Sequence, residues 1–255
     1  MLGTVKQIYL ATRKKHDQVF NVYLMRPLAA GVVAVVARTP VTPNQLTILN
    51  PFIFVVSAAL LVALPAHAGA LVAVGVLELS YLFDCADGML ARHKKIASKE
   101  GHLFDFFTDE IKAVLLAGAI GVRLWRTGGF GPLGAPWEVG HPGFLLAAVA
   151  GVTVLASATS LTNFVRRPEL SGQETPVAAH YETVQQARPK SVPARIAGLG
   201  MTFLRFLNHY PSHIWIWALL GRLDVFFWVY VGINLLYLAS GWAGLIVRFG
   251  RPRRG

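Results

Sequence analysis

The chain has 255 residues, 54% of them hydrophobic and 15% charged, with a mean hydropathy of +0.50. A soluble domain carries about 25% charged residues, so this balance excludes an ordinary soluble fold and points to a helical membrane protein. The formal net charge of +11 comes without a basic-aromatic module, so it is read as attraction to anionic lipid headgroups and not as a nucleic-acid surface.

Residues 1–38 alternate basic and apolar character, with Lys6, Arg13, Lys14, Lys15, Arg26 and Arg38 set among Val, Ile, Leu and Phe. This pattern predicts an amphipathic helix lying in the headgroup region with its basic side chains reaching outward. The apolar run 27–37 is short for a span of about 20 residues. It follows a long basic segment, so no cleavable signal peptide is expected. Pro40 and Pro43 then break the chain, and Thr42 or Asn44 is positioned to cap the next helix.

Six spans are predicted: about 45–65, 68–92, 101–124, 143–165, 196–220 with a kink near Pro211, and 224–247. The expected fold class is therefore an all-α integral membrane protein with six transmembrane helices and an N-terminal interfacial helix. Residues 1–43 form the juxtamembrane segment, 44–248 the helical domain and 249–255 a basic tail. Residues 93–100 form a polar connector, 125–143 an interfacial loop rich in Gly, Pro and Trp, and 166–193 an exposed loop. Lys and Arg concentrate in the N-terminal segment, the connector, the 166–195 loop and the tail, against only Arg123, Arg126 and Arg222 on the other side. The positive-inside rule places both termini in the cytoplasm.

The chemistry is concentrated in DCADGMLARHKKIASKEGHLFDFFTD, from Asp84 to Asp109. Asp84 and Asp87 are three apart and Asp105 and Asp109 four apart, so each pair shares a helix face. The short connector makes the two helices antiparallel neighbours, with both acidic pairs at cytoplasmic ends. Four carboxylates at a membrane boundary are costly unless neutralised. A hard divalent cation such as Mg²⁺, Mn²⁺ or Ca²⁺ does this with oxygen ligands. His93 and His102 are read as solvated loop residues. Cys85 is the only cysteine; it permits no intramolecular disulfide or cysteine-based metal site and is read as a small packing residue. Gly88 and Ala91 continue the face of Asp84, leaving room for a ligand or for close helix packing. Arg92 has the planar fork that suits a phosphate. Gly101, at the start of the next helix, offers backbone N–H groups to an anion.

Asp, two residues, Asp-Gly, two residues, Ala-Arg, eight residues, Gly, three residues, Asp, three residues, Asp: this spacing resembles the full signature of the CDP-alcohol phosphotransferase family. The TPNQLT segment and the six-span pattern are similar to that family too. The resemblance implies transfer of a substituted phosphate from a CDP-linked donor, CDP-diacylglycerol above all, to an alcohol acceptor, with release of CMP. It implies that Asp84, Asp87 and Asp105 hold divalent metal, Mg²⁺ or Mn²⁺, and that Asp109 is the general base and a further metal contact. It implies that Gly88, Ala91, Arg92 and Gly101 line the CDP pocket together with Asp84 and Asp87, with Asn44 and Thr47 nearby. A homodimer, and multi-pass insertion in a bacterial or archaeal inner or plasma membrane, go with it.

Lys112, Arg166, Arg167, Arg195 and Arg205 are candidates for an acceptor phosphate, as on a polyol phosphate. The positive-inside rule alone also accounts for arginines at helix ends. Arg205, Asn208, His209 and His213 either shape acceptor choice or form a polar network between helices. Asp224 is expected to pair with Arg222 or Arg123. Three alternatives remain at this level: a soluble CDP-alcohol donor, a cation transporter using intramembrane carboxylates, and a non-catalytic scaffold. Carboxylates gathered at one end of the spans favour the transferase over the transporter.

Overall fold

The molecule is described by a computed structural model that covers residues 2–14, 17–171, 200 and 202–250. Chain order gives α1 (Leu2–Thr12), α2 (Arg26–Val36) entered through a π turn (Asn21–Met25), α3 (Pro43–Ala63), α4 (His67–His93) and α5 (Lys99–Thr127). A two-stranded hairpin, β1 (Gly129–Phe130) and β2 (Pro136–Trp137), precedes α6 (Pro142–Val165) and the short α7 (Pro168–Ser171). Residues 202–208 are helical, a 3-10 turn covers Tyr210–Ser212, and α8 (Ile214–Leu219) and α9 (Leu223–Phe249) follow.

Among the described residues, four helices are long and apolar enough to cross a membrane: α3, α4, α6 and α9. They match four of the six predicted spans. The other two differ for physical reasons. At 29 residues α5 is long enough, but Lys99, Glu100, Asp105, Asp109, Glu110 and Lys112 crowd its first half, and only Ala113–Val122 reads as continuously apolar. The expected 196–220 span breaks at the 3-10 turn around Pro211, and residues 196–199 lie outside the described residues. The predicted kink is there, and it divides the helix.

Local chemistry fixes the starts of the site-bearing helices. Thr42, not Asn44, caps α3: its Oγ1 accepts from the Gln45 N–H at 3.3 Å, while Gln45 Oε1 accepts from the Thr42 N–H at 2.9 Å. This is a reciprocal capping box, with Pro43 pre-set at the first helical position. Ser98 caps α5 by accepting from the Gly101 N–H at 3.0 Å. At the other end, Gly128 closes α5 at φ +71°, where a side chain would be strained. Gly121 lets α5 meet α6 at Ala148, a contact that leaves no space for a Cβ.

The main core joins α3, α4, α5, α6 and α9 through Phe54, Leu77, Leu116, Ile120, Phe144 and Phe226. Arg123 closes the far end, donating to the carbonyls of Leu61, Leu64, Pro65 and Ala66 at 2.6–3.0 Å. Leu61 is an orphan acceptor in the last turn of α3, and the other three carbonyls belong to the connector between α3 and α4. Asp224 pairs with Arg222 at 3.0 Å, as one of its two expected partners, and accepts from the Phe130 N–H at 2.9 Å.

A second core packs the N-terminal segment against the acidic end of α4: Ala29, Ala30 and Val33 meet Ala86, Met89 and Leu90. Polar bonds reinforce it. Arg26 donates to Asp17 at 2.9 Å and to the Cys85 carbonyl at 3.1 Å. Asn21 donates to Asp17 at 2.7 Å and accepts from the Tyr81 hydroxyl at 2.7 Å. The Tyr81 hydroxyl, its proton used on Asn21, must accept from His209 Nε2 at 2.9 Å, which leaves His209 Nδ1 to accept from Ser212 Oγ at 2.6 Å. The N-terminal segment is thus packed into the molecule rather than laid beside it.

Burial opposes ionisation of Asp17, but the Arg26 guanidinium and the Asn21 and Gln18 donors outweigh it and hold the carboxyl below its usual range. The resulting stabilisation is present above the unfolded value and is lost as pH falls through the lower folded value. Arg26→Ala is expected to leave Asp17 buried without its counter-charge and to cost about 3–5 kcal/mol, read as a fall in Tm in detergent at pH 7. The deficit should shrink when the same melts are run at pH 3.

Candidate functional site

Three helices build the site where α3, α4 and α5 meet. Asp84 and Asp87 come from α4, Asp105 and Asp109 from α5, and α3 supplies the polar groups that hold them. Asp84, Asp105 and Asp109 each present an oxygen within 4.8 Å of one another. Asp87 lies beside them, 3% exposed, and accepts from the Thr47 hydroxyl at 2.6 Å. Thr47 also reaches the Pro43 carbonyl at 3.2 Å; with one proton to give, its shorter contact is the one that counts.

Lys112 sits within this cluster. Its Nζ is 2.7 Å from Asp84 Oδ1 and 2.6 Å from Asp109 Oδ1, and its side chain is 1% exposed. It also donates to Asn50 Oδ1 at 3.2 Å. Asn50 is wholly buried. Its Nδ2 donates to Asp84 Oδ1 at 2.6 Å, and its Oδ1 also accepts from Ser80 at 2.6 Å. Asp109 differs from its neighbours in being half-exposed, at 50%. It is the carboxylate that faces open space.

A divalent metal fits these residues. The donor set is all oxygen, which suits a hard cation. Asp105 Oδ1 is buried with no hydrogen-bond partner, although a buried carboxylate oxygen is costly to leave unmatched. His93 and His102 are not among the converging ligand atoms found in the described residues.

The remaining sequence candidates fall into two groups. Arg92 donates through Nε to the Thr12 carbonyl at 2.8 Å, while its Nη2 is buried without a partner. A Cβ on Gly88 would stand 3.5 Å from Arg92 Nη1, so Gly88 leaves the guanidinium ordinary contact room. Asn44 Oδ1 stands 3.4 Å from where a Gly101 Cβ would be, which brings α3 to the start of α5. The Gly101 N–H itself is taken by the Ser98 hydroxyl that caps α5, so of the N–H groups at the start of this helix it is not a free donor. Ala91 lies half-buried on α4, and its carbonyl accepts from the Ile96 N–H at 3.0 Å.

Among the basic candidates for an acceptor phosphate, Lys112 points inward at the carboxylates. The Arg166 guanidinium stands 5.0 Å from the centre of the Phe106 ring, next to Asp105 in sequence. Arg167 is exposed and Arg205 half-buried. Arg195 lies outside the described residues. Sequence reasoning missed Asn50, Ser80, Asp17, Arg26 and Tyr81. The signal for Asn50 and Ser80 was present: each is a polar side chain inside an apolar span.

Apolar helices carrying a convergent carboxylate cluster at one end point to a membrane-embedded protein whose carboxylates could hold a metal ion. The sequence profile of the CDP-alcohol phosphatidyltransferase family matches residues 40–246, so the chain belongs to that family of phosphotransferases. No curated protein matches the chain in a full comparison. The activity is accordingly transfer of a phosphate group from a CDP-alcohol. Residues 1–39 lie outside the matched region, yet they supply the bonds to the Cys85 carbonyl and from Arg92.

Asn50→Ala is expected to free one side of Asp84 and of Lys112. Loss of an outer hydrogen bond to a metal-holding carboxylate costs about 10–100-fold in activity or metal affinity. The check is the Mg²⁺ concentration giving half-maximal activity, which should rise while helical content is unchanged.

Proposed function

We propose that the protein transfers a phosphatidyl group from CDP-diacylglycerol to the hydroxyl of a polyol phosphate, releasing CMP, as a step of phospholipid synthesis. The observation that carries this reading is the convergence of the signature aspartates from α4 and α5 at one end of the spans. A site at the membrane boundary admits a lipid donor sideways and a polar acceptor from water. The distribution of Lys and Arg supports a cytoplasmic active site.

Asp84, Asp87 and Asp105 would hold Mg²⁺ or Mn²⁺, with Asp109 as a further contact. The bound metal supplies charge neutralisation on the diphosphate and on the departing CMP. Arg92 holds the donor: its Nε is anchored on Thr12, and its unpartnered Nη2 is available to a phosphate oxygen. Gly88 and Ala91 keep the face beside it low, and Asn44, Thr47 and Gly101 edge the same pocket. Asp109, half-exposed and held at one oxygen by Lys112, accepts the proton of the acceptor hydroxyl. The freed oxygen bonds to the phosphorus bearing the lipid, and the bond from that phosphorus to the CMP oxygen breaks. Arg166, Arg167, Arg195 and Arg205 are the proposed contacts for the acceptor phosphate. A soluble CDP-alcohol with a lipid or polyol acceptor is the variant the same site would serve.

The test is CMP release by the purified protein in detergent with Mg²⁺ or Mn²⁺, CDP-diacylglycerol and a panel of acceptors. Release is expected with a phosphorylated polyol and a loss of about 10²–10⁴-fold in Asp109→Asn, with Asp105→Asn also inactive and both variants folded. Release only with a soluble CDP-alcohol would select the variant. No CMP from any donor would contradict phosphotransfer and leave ion transport to be measured in vesicles.

A further inference from the structure

Lys112 has used its whole hydrogen-bonding capacity. An ammonium has three N–H donors, and Asp84, Asp109 and Asn50 take one each, at 2.7, 2.6 and 3.2 Å. The Asn50 amide is fixed in turn by Ser80, which sets its Oδ1 toward Lys112 and its Nδ2 toward Asp84. The side chain is 1% exposed, so while these bonds hold it cannot reach out to a phosphate. Among the described residues it is the one cation that forms an ion pair with any of the four signature aspartates, and it pairs with two of them, Asp84 and Asp109.

Carboxylates brought this close repel one another strongly in a poorly screened setting. A metal ion removes that repulsion only while it is bound. Lys112 is covalently present at all times, and it sits between the two carboxylates that come from different helices. It takes one oxygen from each and leaves Asp105 Oδ1 without any partner.

We propose that Lys112 is a resident counter-cation of the metal centre, a positioning residue. It holds Asp84 on α4 and Asp109 on α5 in place when no metal is bound, and it limits how tightly the cluster takes divalent ions. This rests on the reading that the aspartates hold a divalent metal. Two consequences follow. Without Lys112, divalent metal becomes the main counter-charge between Asp84 on α4 and Asp109 on α5, so stability becomes more metal-dependent. The repulsion between the ammonium and an incoming dication disappears as well, so affinity rises.

The experiment compares the purified full-length protein with Lys112→Met and Lys112→Gln in detergent. Tm is measured in EDTA and in a Mg²⁺ titration, and the Mn²⁺ Kd by electron paramagnetic resonance. The wild type is expected to gain only a modest rise in Tm from Mg²⁺, smaller than either variant gains. Both variants should melt well below it in EDTA and recover most of the deficit in Mg²⁺, and their Mn²⁺ Kd should fall about tenfold, a modest change for removing a neighbouring like charge. A Lys112→Met protein recoverable only in metal-containing buffer also supports the proposal. A Tm deficit equal in EDTA and Mg²⁺, or an unchanged or raised Mn²⁺ Kd, would overturn it and leave Lys112 a packing residue. If neither the wild type nor the variants bind Mn²⁺, the metal reading itself fails, and the proposal with it.

Discussion

Like charges gathered at one point of a membrane protein set the terms for everything around them. Asp84, Asp87, Asp105 and Asp109 would push α4 and α5 apart if nothing stood between them. The surrounding structure answers that repulsion group by group. Lys112 bridges Asp84 and Asp109, Asn50 donates to Asp84 and Thr47 to Asp87. Each donor comes from a helix packed against the others, so the core of Phe54, Leu77 and Leu116 that joins α3, α4 and α5 is what makes the electrostatic arrangement possible. One buried acceptor, Asp105 Oδ1, has no hydrogen-bond partner among the described residues.

The N-terminal segment belongs to the same solution from the other side. The acidic turn of α4 has Asp84 and Asp87 facing the α3–α5 junction, while Cys85 and Ala86 between them face α2. Arg26 takes the Cys85 carbonyl, and Tyr81 one turn earlier is tied to Asn21 and His209. The helix carrying Asp84 and Asp87 is therefore held on both faces, by charge and hydrogen bonds toward the site and by packing and a buried ion pair toward the N-terminus. A site that must keep carboxylate oxygens within a few tenths of an ångström gains from this two-sided support.

What could be read from the sequence was what depends on short-range spacing. The i, i+3 and i, i+4 acidic pairs, the signature offsets, the break at Pro211 and four of the spans are all local periodicities, and α3, α4, α6 and α9 appear where hydropathy puts them. The third predicted span is less apolar than its length suggests, because Lys99, Glu100, Asp105, Asp109, Glu110 and Lys112 make its first half polar. Lys112 shows the limit more sharply. Its spacing placed it on the face of Asp109, which was right, but spacing cannot say whether a lysine reaches toward solvent or folds back onto its neighbours. Asp84, 28 residues away, and Asn50, 62 residues away, draw it inward. The Ser98 cap that takes the Gly101 N–H is also a local feature, since Ser three residues before Gly101 has the spacing of an N-cap. The bond from Arg26 to the Cys85 carbonyl spans 59 residues and has no local signature at all.

The central claim is that aspartates from two helices converge on one divalent ion. It is tested most directly by anomalous diffraction from crystals of the protein grown with Mn²⁺. The account predicts a Mn²⁺ peak within about 2.6 Å of oxygens from Asp84, Asp105 and Asp109, the range for a hard cation on carboxylates. A Mn²⁺ ion bound elsewhere, or these carboxylates turned away from one another around no metal, would contradict it.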